Sequence, residues 1–117
     1  MGTWGVGAFD NDTASELVSE LQRGVFRMQQ LKFECANGPL TAQQAERVIA
    51  LGALLAGERP EGVNLEGIDK QLSFRDRRWI AKNMKSAIMP GQSELYALWE
   101  DTGELEQWIE ETTRVIP

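Results

Sequence analysis

Apolar residues recur every three or four positions along most of this chain, the spacing that gathers them on one face of an α-helix. The first such segment runs from Asp12 to Gln22 and stops before Gly24. Its apolar positions are Ala14, Leu17, Val18 and Leu21. Asn11 or Asp12 is expected to cap this helix, because the side-chain oxygen of either residue accepts a free amide of a first helical turn.

Residues 25–36 contain apolar side chains whose spacing leaves the secondary structure open. The run from Met28 to Lys32 favours a helix, and a strand is the alternative. Asn37, Gly38 and Pro39 follow and interrupt any regular element, because glycine and proline both break helices and strands.

The next segment is apolar around most of its circumference. Thr41 and Gln44 have the spacing of a capping box, in which each side chain bonds to the backbone of the other. The residues from Ala45 to Ala56 are mostly apolar or small, which is typical of a central, buried helix. Gly57 is expected to follow the end of this helix. Residues 58–72 are then predicted to form a connection held to the core by Val63, Leu65, Ile68 and Leu72.

Three further helices are predicted in the C-terminal half. Ser73 starts one whose inward face carries Trp79, Ile80, Met84, Ala87 and Ile88 and whose other face is basic, with Arg75, Arg77, Arg78, Lys82 and Lys85. Ser93 starts a short helix that carries Leu95, Leu98 and Trp99. A final helix carries Leu105, Trp108, Ile109 and Ile116. The sequence therefore predicts one all-α domain over residues 1–117, a compact bundle of five or six helices with short loops.

Residues 2–13, which run into the start of the first helix, are named the N-terminal strap. Trp4 and Phe9 flank Gly5 and Gly7, and we expect both rings to dock in the core while the glycines let the backbone bend. Each such ring buries about 150–250 Å². A phosphate-binding glycine loop is disfavoured, because no Gly-Lys-Ser/Thr sequence follows and the aspartates at the helix start would repel a phosphate.

The amino-acid composition limits the kinds of catalytic and metal-binding site that the chain can form. The chain of 117 residues has no histidine, so it lacks the commonest general base and the usual zinc ligand. Its one cysteine, Cys35, follows Glu34, and no neighbouring group is expected to activate it. We therefore assign no catalytic residue, metal or cofactor, and do not expect an enzyme.

No membrane segment or export signal is expected. No apolar run approaches the ~18 residues of a membrane-spanning helix. The N-terminus lacks the basic and apolar blocks of a signal peptide. The single cysteine also favours a reducing compartment, so we expect a cytoplasmic protein.

Residues 94–111, named the acidic segment, contain seven acids and no lysine or arginine. Such a segment is either a solvated helix face or a surface for a basic partner, where negative potential speeds encounter and aromatic side chains anchor the contact. The candidate protein-binding residues are Trp99, Glu100, Asp101, Glu104, Glu106, Trp108, Glu110 and Glu111.

The basic face of the Ser73 helix is a weaker candidate site. The net charge of −6 and a pI near 4.7 argue against nucleic-acid binding, for which a domain is usually strongly basic. We expect the face to pair with the acidic segment, within the molecule or across a homodimer.

Two stretches resemble a known family. The motif Gly-x-Trp-Gly-x-Gly-x-Phe-x-Asn-Asp is formed by Gly2, Trp4, Gly5, Gly7, Phe9, Asn11 and Asp12. It resembles the start of the small bacterial proteins known as domain of unknown function family 4259. Residues 93–100 and Trp108 resemble the C-terminal half of that family. The resemblance implies a small, mostly helical, cytoplasmic bacterial protein with no assigned activity, and no catalytic residue carries over.

Two functional hypotheses follow. The first is a non-enzymatic intracellular protein-binding domain, for example an immunity-type protein that masks the basic active site of a toxin such as a nuclease. The second is a small hydrolase or small-molecule-binding protein with a pocket beneath the N-terminal strap, near Asn11 and Asp12.

Overall fold

The computed structural model describes residues 3–65 and 67–117, so Gly2 of the motif and Glu66 of the 58–72 connection lie outside the described residues. The helices are α1 (Asp12–Gln22), α2 (Met28–Glu34), α3 (Ala42–Leu55), α4 (Ile68–Gln71), α5 (Phe74–Ala87), α6 (Glu94–Glu100) and α7 (Leu105–Arg114). Because α4 is a single turn, the described ranges hold six longer helices. Their β-structure is limited to two isolated bridges, Thr3 with Asn11 and Leu40 with Ser93. The predicted all-α domain is confirmed.

Helix α3 lies at the centre of the fold and contacts α1, α4, α5 and α6. Its buried residues are Ala45, Val48, Ile49, Ala50, Leu51, Gly52, Ala53 and Leu54. A helix with apolar or small side chains on nearly every face is stable only when neighbours cover it, which explains its central place.

The predicted helix starts are confirmed. The side-chain Oδ1 of Asn11 accepts a hydrogen bond of 2.8 Å from the Ala14 amide, so Asn11 and not Asp12 caps α1. Thr41 and Gln44 form the capping box of α3. Ser73 forms a capping box with Asp76 at α5, and Ser93 caps α6.

Within residues 25–36, Met28–Glu34 form the helix α2, as the Met28–Lys32 run indicates. Leu31 is buried against the core, and two contacts hold the rest of the helix. The Lys32 ammonium lies 2.6 Å from the Asp76 carboxylate on α5. The Gln44 side-chain amide donates a hydrogen bond of 2.9 Å to the Glu34 carbonyl.

The connection of residues 58–72 packs against the core as expected. Leu65, Ile68 and Leu72 are buried, while Val63 is only partly buried. The side chains of Ile68 and Leu72 flank the turn α4. None of the helices in the two described ranges is long and apolar enough to cross a membrane.

The prediction that Trp4 plugs the core is wrong, since its side chain is 62% exposed. Phe9 is partly buried against the core. The N-terminal strap closes on itself, because the Trp4 amide donates a 2.9 Å hydrogen bond to the Asp10 carbonyl. The glycines make room for the Asp10 carboxylate: a β-carbon at Gly5 or Gly7 would lie 2.5 or 2.7 Å from Asp10 Oδ2. This closure leaves the Trp4 ring outside the bundle.

Candidate functional site

A cleft of about 920 Å³ lies beside the N-terminal strap. Four elements meet there: the strap, the start of α1, the start of α3, and α6 with the turn after it. Its lining residues are Thr3, Trp4, Gly5, Asp12, Thr13, Glu16, Ala42, Gln43, Glu46, Arg47, Leu95, Leu98, Trp99, Thr102 and Glu104. It therefore lies where the second functional hypothesis expects a pocket, next to Asp12.

Two large apolar side chains of the cleft are open to solvent. Trp4 contributes its exposed ring, and Leu98 on α6 is 55% exposed. Of the three apolar residues predicted on this helix, Leu95 and Trp99 are buried and Leu98 is not. A tryptophan and a leucine left uncovered beside a cavity are typical of a binding site.

The charge of the cleft is negative. Four carboxylates line it, from Asp12, Glu16, Glu46 and Glu104, together with one guanidinium, that of Arg47. The guanidinium already forms an ion pair with Glu20. The carboxylates therefore dominate the electrostatic potential inside the cleft.

The guanidinium of Arg47 is bound by residues outside the cleft. Its Nη2 lies 2.9 Å from a carboxylate oxygen of Glu20, and its guanidinium lies 5.9 Å from the ring centroid of Phe26. In contrast, Asp12, Glu16 and Glu104 make no ion pair with any residue of the described ranges.

Glu46 is the cleft residue whose titration is most informative. Burial raises the pKa of its carboxyl group, and the nearby charge of Asp12 adds to this effect. Hydrogen bonds from the Thr13 and Thr3 hydroxyls lower the pKa, but not enough to cancel the burial. A raised carboxyl pKa inside a cleft marks a candidate functional residue, because ionisation there lacks a compensating cation.

Trp99 and Trp108, predicted as anchors on a partner surface, are instead core residues. They are only 7% and 3% exposed. Their rings are stacked, with centroids 5.9 Å apart and planes inclined by 12°. Trp99 also lines the cleft, so the stacked Trp99 and Trp108 rings connect the wall of the cleft to the core.

The carboxylates predicted for the partner surface mostly face solvent. The exposed ones are Glu100, Asp101, Glu104, Glu106 and Glu110. Glu111 is partly buried and differs, because Arg114 binds it at 2.5 Å and also binds Glu58 at 2.6 Å. The hydrogen bond from Arg114 holds the pKa of Glu111 below its usual range. Glu111 therefore serves the fold, and only Glu104 of the acidic segment's carboxylates reaches the cleft.

Four of the five cationic side chains on the basic face of α5 form no ion pair with the acidic segment within the described part of the molecule. Arg75, Arg78, Lys82 and Lys85 make no ion pair with any described residue. The Arg78 guanidinium lies over the exposed Phe74 ring at 5.8 Å. Pairing of this face across a homodimer stays a prediction.

Two further features bear on chemistry. Burial raises the pKa of the Cys35 thiol, Glu34 raises it further, and Arg47 acts in the opposite direction. At neutral pH this thiol is protonated and is a poor nucleophile. Within residues 3–65 and 67–117, no cluster of three or more cysteine and acidic side chains is arranged to hold a metal ion.

The motif residues have separate roles. Asn11 is buried as the cap of α1, and Gly5 and Gly7 accommodate Asp10. Trp4 and Asp12 line the cleft. The sequence patterns missed Glu46, although its place as the one acidic residue of α3 was a usable signal for it.

No curated protein and no solved structure matches this chain. The family model described as domain of unknown function (DUF4259) matches residues 2–111. Because this match spans nearly the whole chain, the protein belongs to the DUF4259 family.

Proposed function

We propose that this protein is a non-enzymatic binding protein that captures a basic surface of another protein in the cleft beside Trp4. One arrangement supports the proposal above all: the exposed Trp4 and Leu98 side chains share a cleft with four carboxylates. Exposed aromatic rings supply contact area at low entropic cost, and surrounding carboxylates select a cationic partner.

The exposed carboxylates outside the cleft extend the same surface. Glu100 and Asp101 follow the α6 residues that line the cleft, and Glu106 and Glu110 lie on α7. Long-range attraction from these groups would speed the encounter with a basic protein, and added salt would slow it. Trp99 and Trp108 would contribute indirectly, by holding α6 and α7 together.

An immunity-type role is the concrete form of this proposal. In it, the protein acts in the bacterial cytoplasm and covers the basic active site of a toxin such as a nuclease. The net charge of −6 and the exposed carboxylates suit a basic enzyme surface. Protection of cells that co-express the protein and a toxin encoded beside it would test this form.

Affinity capture from a native lysate of the source cells tests the proposal, with bound proteins identified by mass spectrometry. Trp4→Ala and Glu16→Lys change exposed residues of the cleft and should leave the fold intact. We expect both to lose a partner that the unchanged protein retains. Phe33→Ala and Glu61→Lys are matched controls, since both residues are exposed and neither lines the cleft.

The controls should retain that partner. If the two cleft variants capture it as well as the controls do, the cleft is not the binding site and the proposal fails. Glu110→Lys separately asks whether the exposed face of α7 takes part in the contact.

A second candidate function is binding, or hydrolysis, of a small molecule in the same cleft. The half-buried Glu46 carboxylate favours it, because a raised carboxyl pKa suits both a cation site and a general acid. A thermal-shift screen against polyamines, nucleotides, sugars and divalent metal ions separates the two functions. Saturable stabilisation that disappears in Trp4→Ala would favour the small molecule.

A further inference from the structure

The cleft presents two kinds of surface that a single chemical group can satisfy together. Trp4 offers an exposed aromatic ring, and the hydrogen bond from its backbone amide to Asp10 fixes the backbone that carries this ring. Asp12 and Glu46 offer carboxylates close enough to influence one another. Thr3, the neighbour of Trp4, lines the cleft together with Glu46, so the ring and this carboxylate belong to one site.

We propose that the cleft is a socket for an arginine side chain of the partner protein. In this arrangement the guanidinium stacks on the Trp4 ring and donates its N–H groups to the carboxylates of Asp12 and Glu46. The inference rests on the proposed function, and it names the group that the cleft recognises.

None of the described lysine and arginine side chains forms an ion pair with Asp12 or Glu46. Arg47 is the one cationic residue among those that line the cleft, and it is bound to Glu20 and to the face of Phe26. Thr3 and Thr13 orient the Glu46 carboxylate, but hydroxyl groups carry no charge to balance it. An incoming cation would supply the missing compensation.

Arginine suits these walls better than lysine does. A guanidinium is planar and stacks on an aromatic face while its edge donates several hydrogen bonds to carboxylates. An ammonium group is a compact, strongly hydrated point charge, which gains less from a flat ring. The volume of about 920 Å³ exceeds one side chain, so residues next to the arginine would also enter and contact Leu98.

A peptide titration followed by NMR tests this inference on the full ¹⁵N-labelled chain. Three blocked pentapeptides are identical apart from the central residue, which is arginine, lysine or citrulline, the neutral counterpart of arginine. The probe resonance is the indole N–H of Trp4, identified by its loss in Trp4→Phe. The indole signal of Trp108 serves as an internal reference, because this ring is buried and does not line the cleft.

We expect the arginine peptide to shift the Trp4 signal saturably and to bind about tenfold more tightly than the citrulline peptide. The lysine peptide should fall between the two. Glu46→Gln should weaken binding of the arginine peptide by about fivefold, while Glu61→Gln, a change of an exposed residue outside the cleft, should leave the affinity unchanged.

Equal binding of the arginine and citrulline peptides, equal binding of the arginine and lysine peptides, or shifts that spare Trp4 would overturn the inference. If Trp4→Ala abolishes partner capture but the arginine peptide causes no shift, the proposed function stands and the arginine socket does not. If cleft variants leave capture unchanged, the proposed function itself is lost, whatever the peptides do.

Discussion

Met84 on α5 packs directly onto Gly52 on α3, so closely that a β-carbon at Gly52 would overlap the Met84 sulfur. Both residues are buried, and Met84 is fully enclosed. The absence of a side chain at Gly52 therefore sets the distance between the two helices that share the largest interface in the fold.

Gly52→Ala is expected to destabilise the protein by about 1–3 kcal/mol, because the added methyl group forces Met84 and α5 to shift. Glycine to alanine in a helix normally stabilises by roughly 0.5–1 kcal/mol, so the expected sign is the opposite of the usual one. Thermal unfolding monitored by circular dichroism measures the effect.

The double variant Gly52→Ala/Met84→Ala is the control for that contact. It should cost less than the sum of the two single changes, because the shorter side chain at 84 leaves room for the new methyl group. Simple additivity would show that the overlap does not limit the approach of α5.

The exposed and buried tryptophans are expected to respond differently to truncation. Trp108→Ala should cost about 3–5 kcal/mol, because it removes a buried ring stacked on Trp99. Trp4→Ala should change stability by less than about 0.5 kcal/mol, since that ring is largely in solvent. Chemical denaturation of both variants gives the comparison, and a large loss in Trp4→Ala would mean that its ring supports the core.

Local signals made most of the fold predictable. Capping residues such as Asn11, Thr41 and Ser73 act within one turn of their own helix, so their role can be inferred without tertiary structure. The secondary structure of residues 25–36 could not be predicted from local signals, because their pattern of apolar residues fits both a helix and a strand. Long-range contacts, such as that of Lys32 with Asp76, accompany the helical outcome and are not visible in a local pattern.

The candidate site was harder to predict, because burial of a tryptophan depends on contacts that are distant in the chain. Trp4 and Trp108 both sit among residues of mixed polarity, yet one ring is exposed and the other buried. The difference follows from the closure of the N-terminal strap around Asp10, which only the three-dimensional structure reveals. Glu46 was missed for a similar reason, since its neighbours Thr3 and Thr13 belong to another part of the chain.

Asp76 should make stability sensitive to acid. Burial acts to raise the pKa of its carboxyl group, but hydrogen bonds from Lys32 and from the Ser73 amide and hydroxyl outweigh it, so the pKa lies below its usual value of 3.8. A lowered folded-state pKa gives stability that is present above about pH 4 and lost as the pH falls through the folded pKa.

Asp76→Asn is therefore expected to be less stable than the unchanged protein by about 1–2 kcal/mol at pH 7, through the loss of the ion pair and a weaker cap. The difference should shrink as the pH falls below 4. Urea unfolding at pH 7 and at acidic pH measures it. Asp101→Asn, an exposed change with no ion pair to lose, is the matched control.

The contribution of Glu46 to the free energy of unfolding should have the opposite pH dependence to that of Asp76. Its carboxyl pKa is raised, first by burial and further by Asp12, so the folded state holds the proton more tightly than the unfolded chain. Stability linked to this group is complete below the unfolded pKa near 4.5 and is lost as the pH rises through the folded pKa. The ionised carboxylate thus destabilises the fold at neutral pH.

Glu46→Gln is expected to raise the urea midpoint at pH 7 and to leave it unchanged near pH 4, where the carboxyl group is already protonated. The neutral amide still accepts hydrogen bonds from Thr3 and Thr13, so the local geometry should persist. The same variant should bind the arginine peptide more weakly. If Glu46→Gln makes the protein more stable but weakens peptide binding, the Glu46 carboxylate serves binding and not the fold. A variant less stable at pH 7 would mean that the charge of Glu46 already has a partner inside the fold.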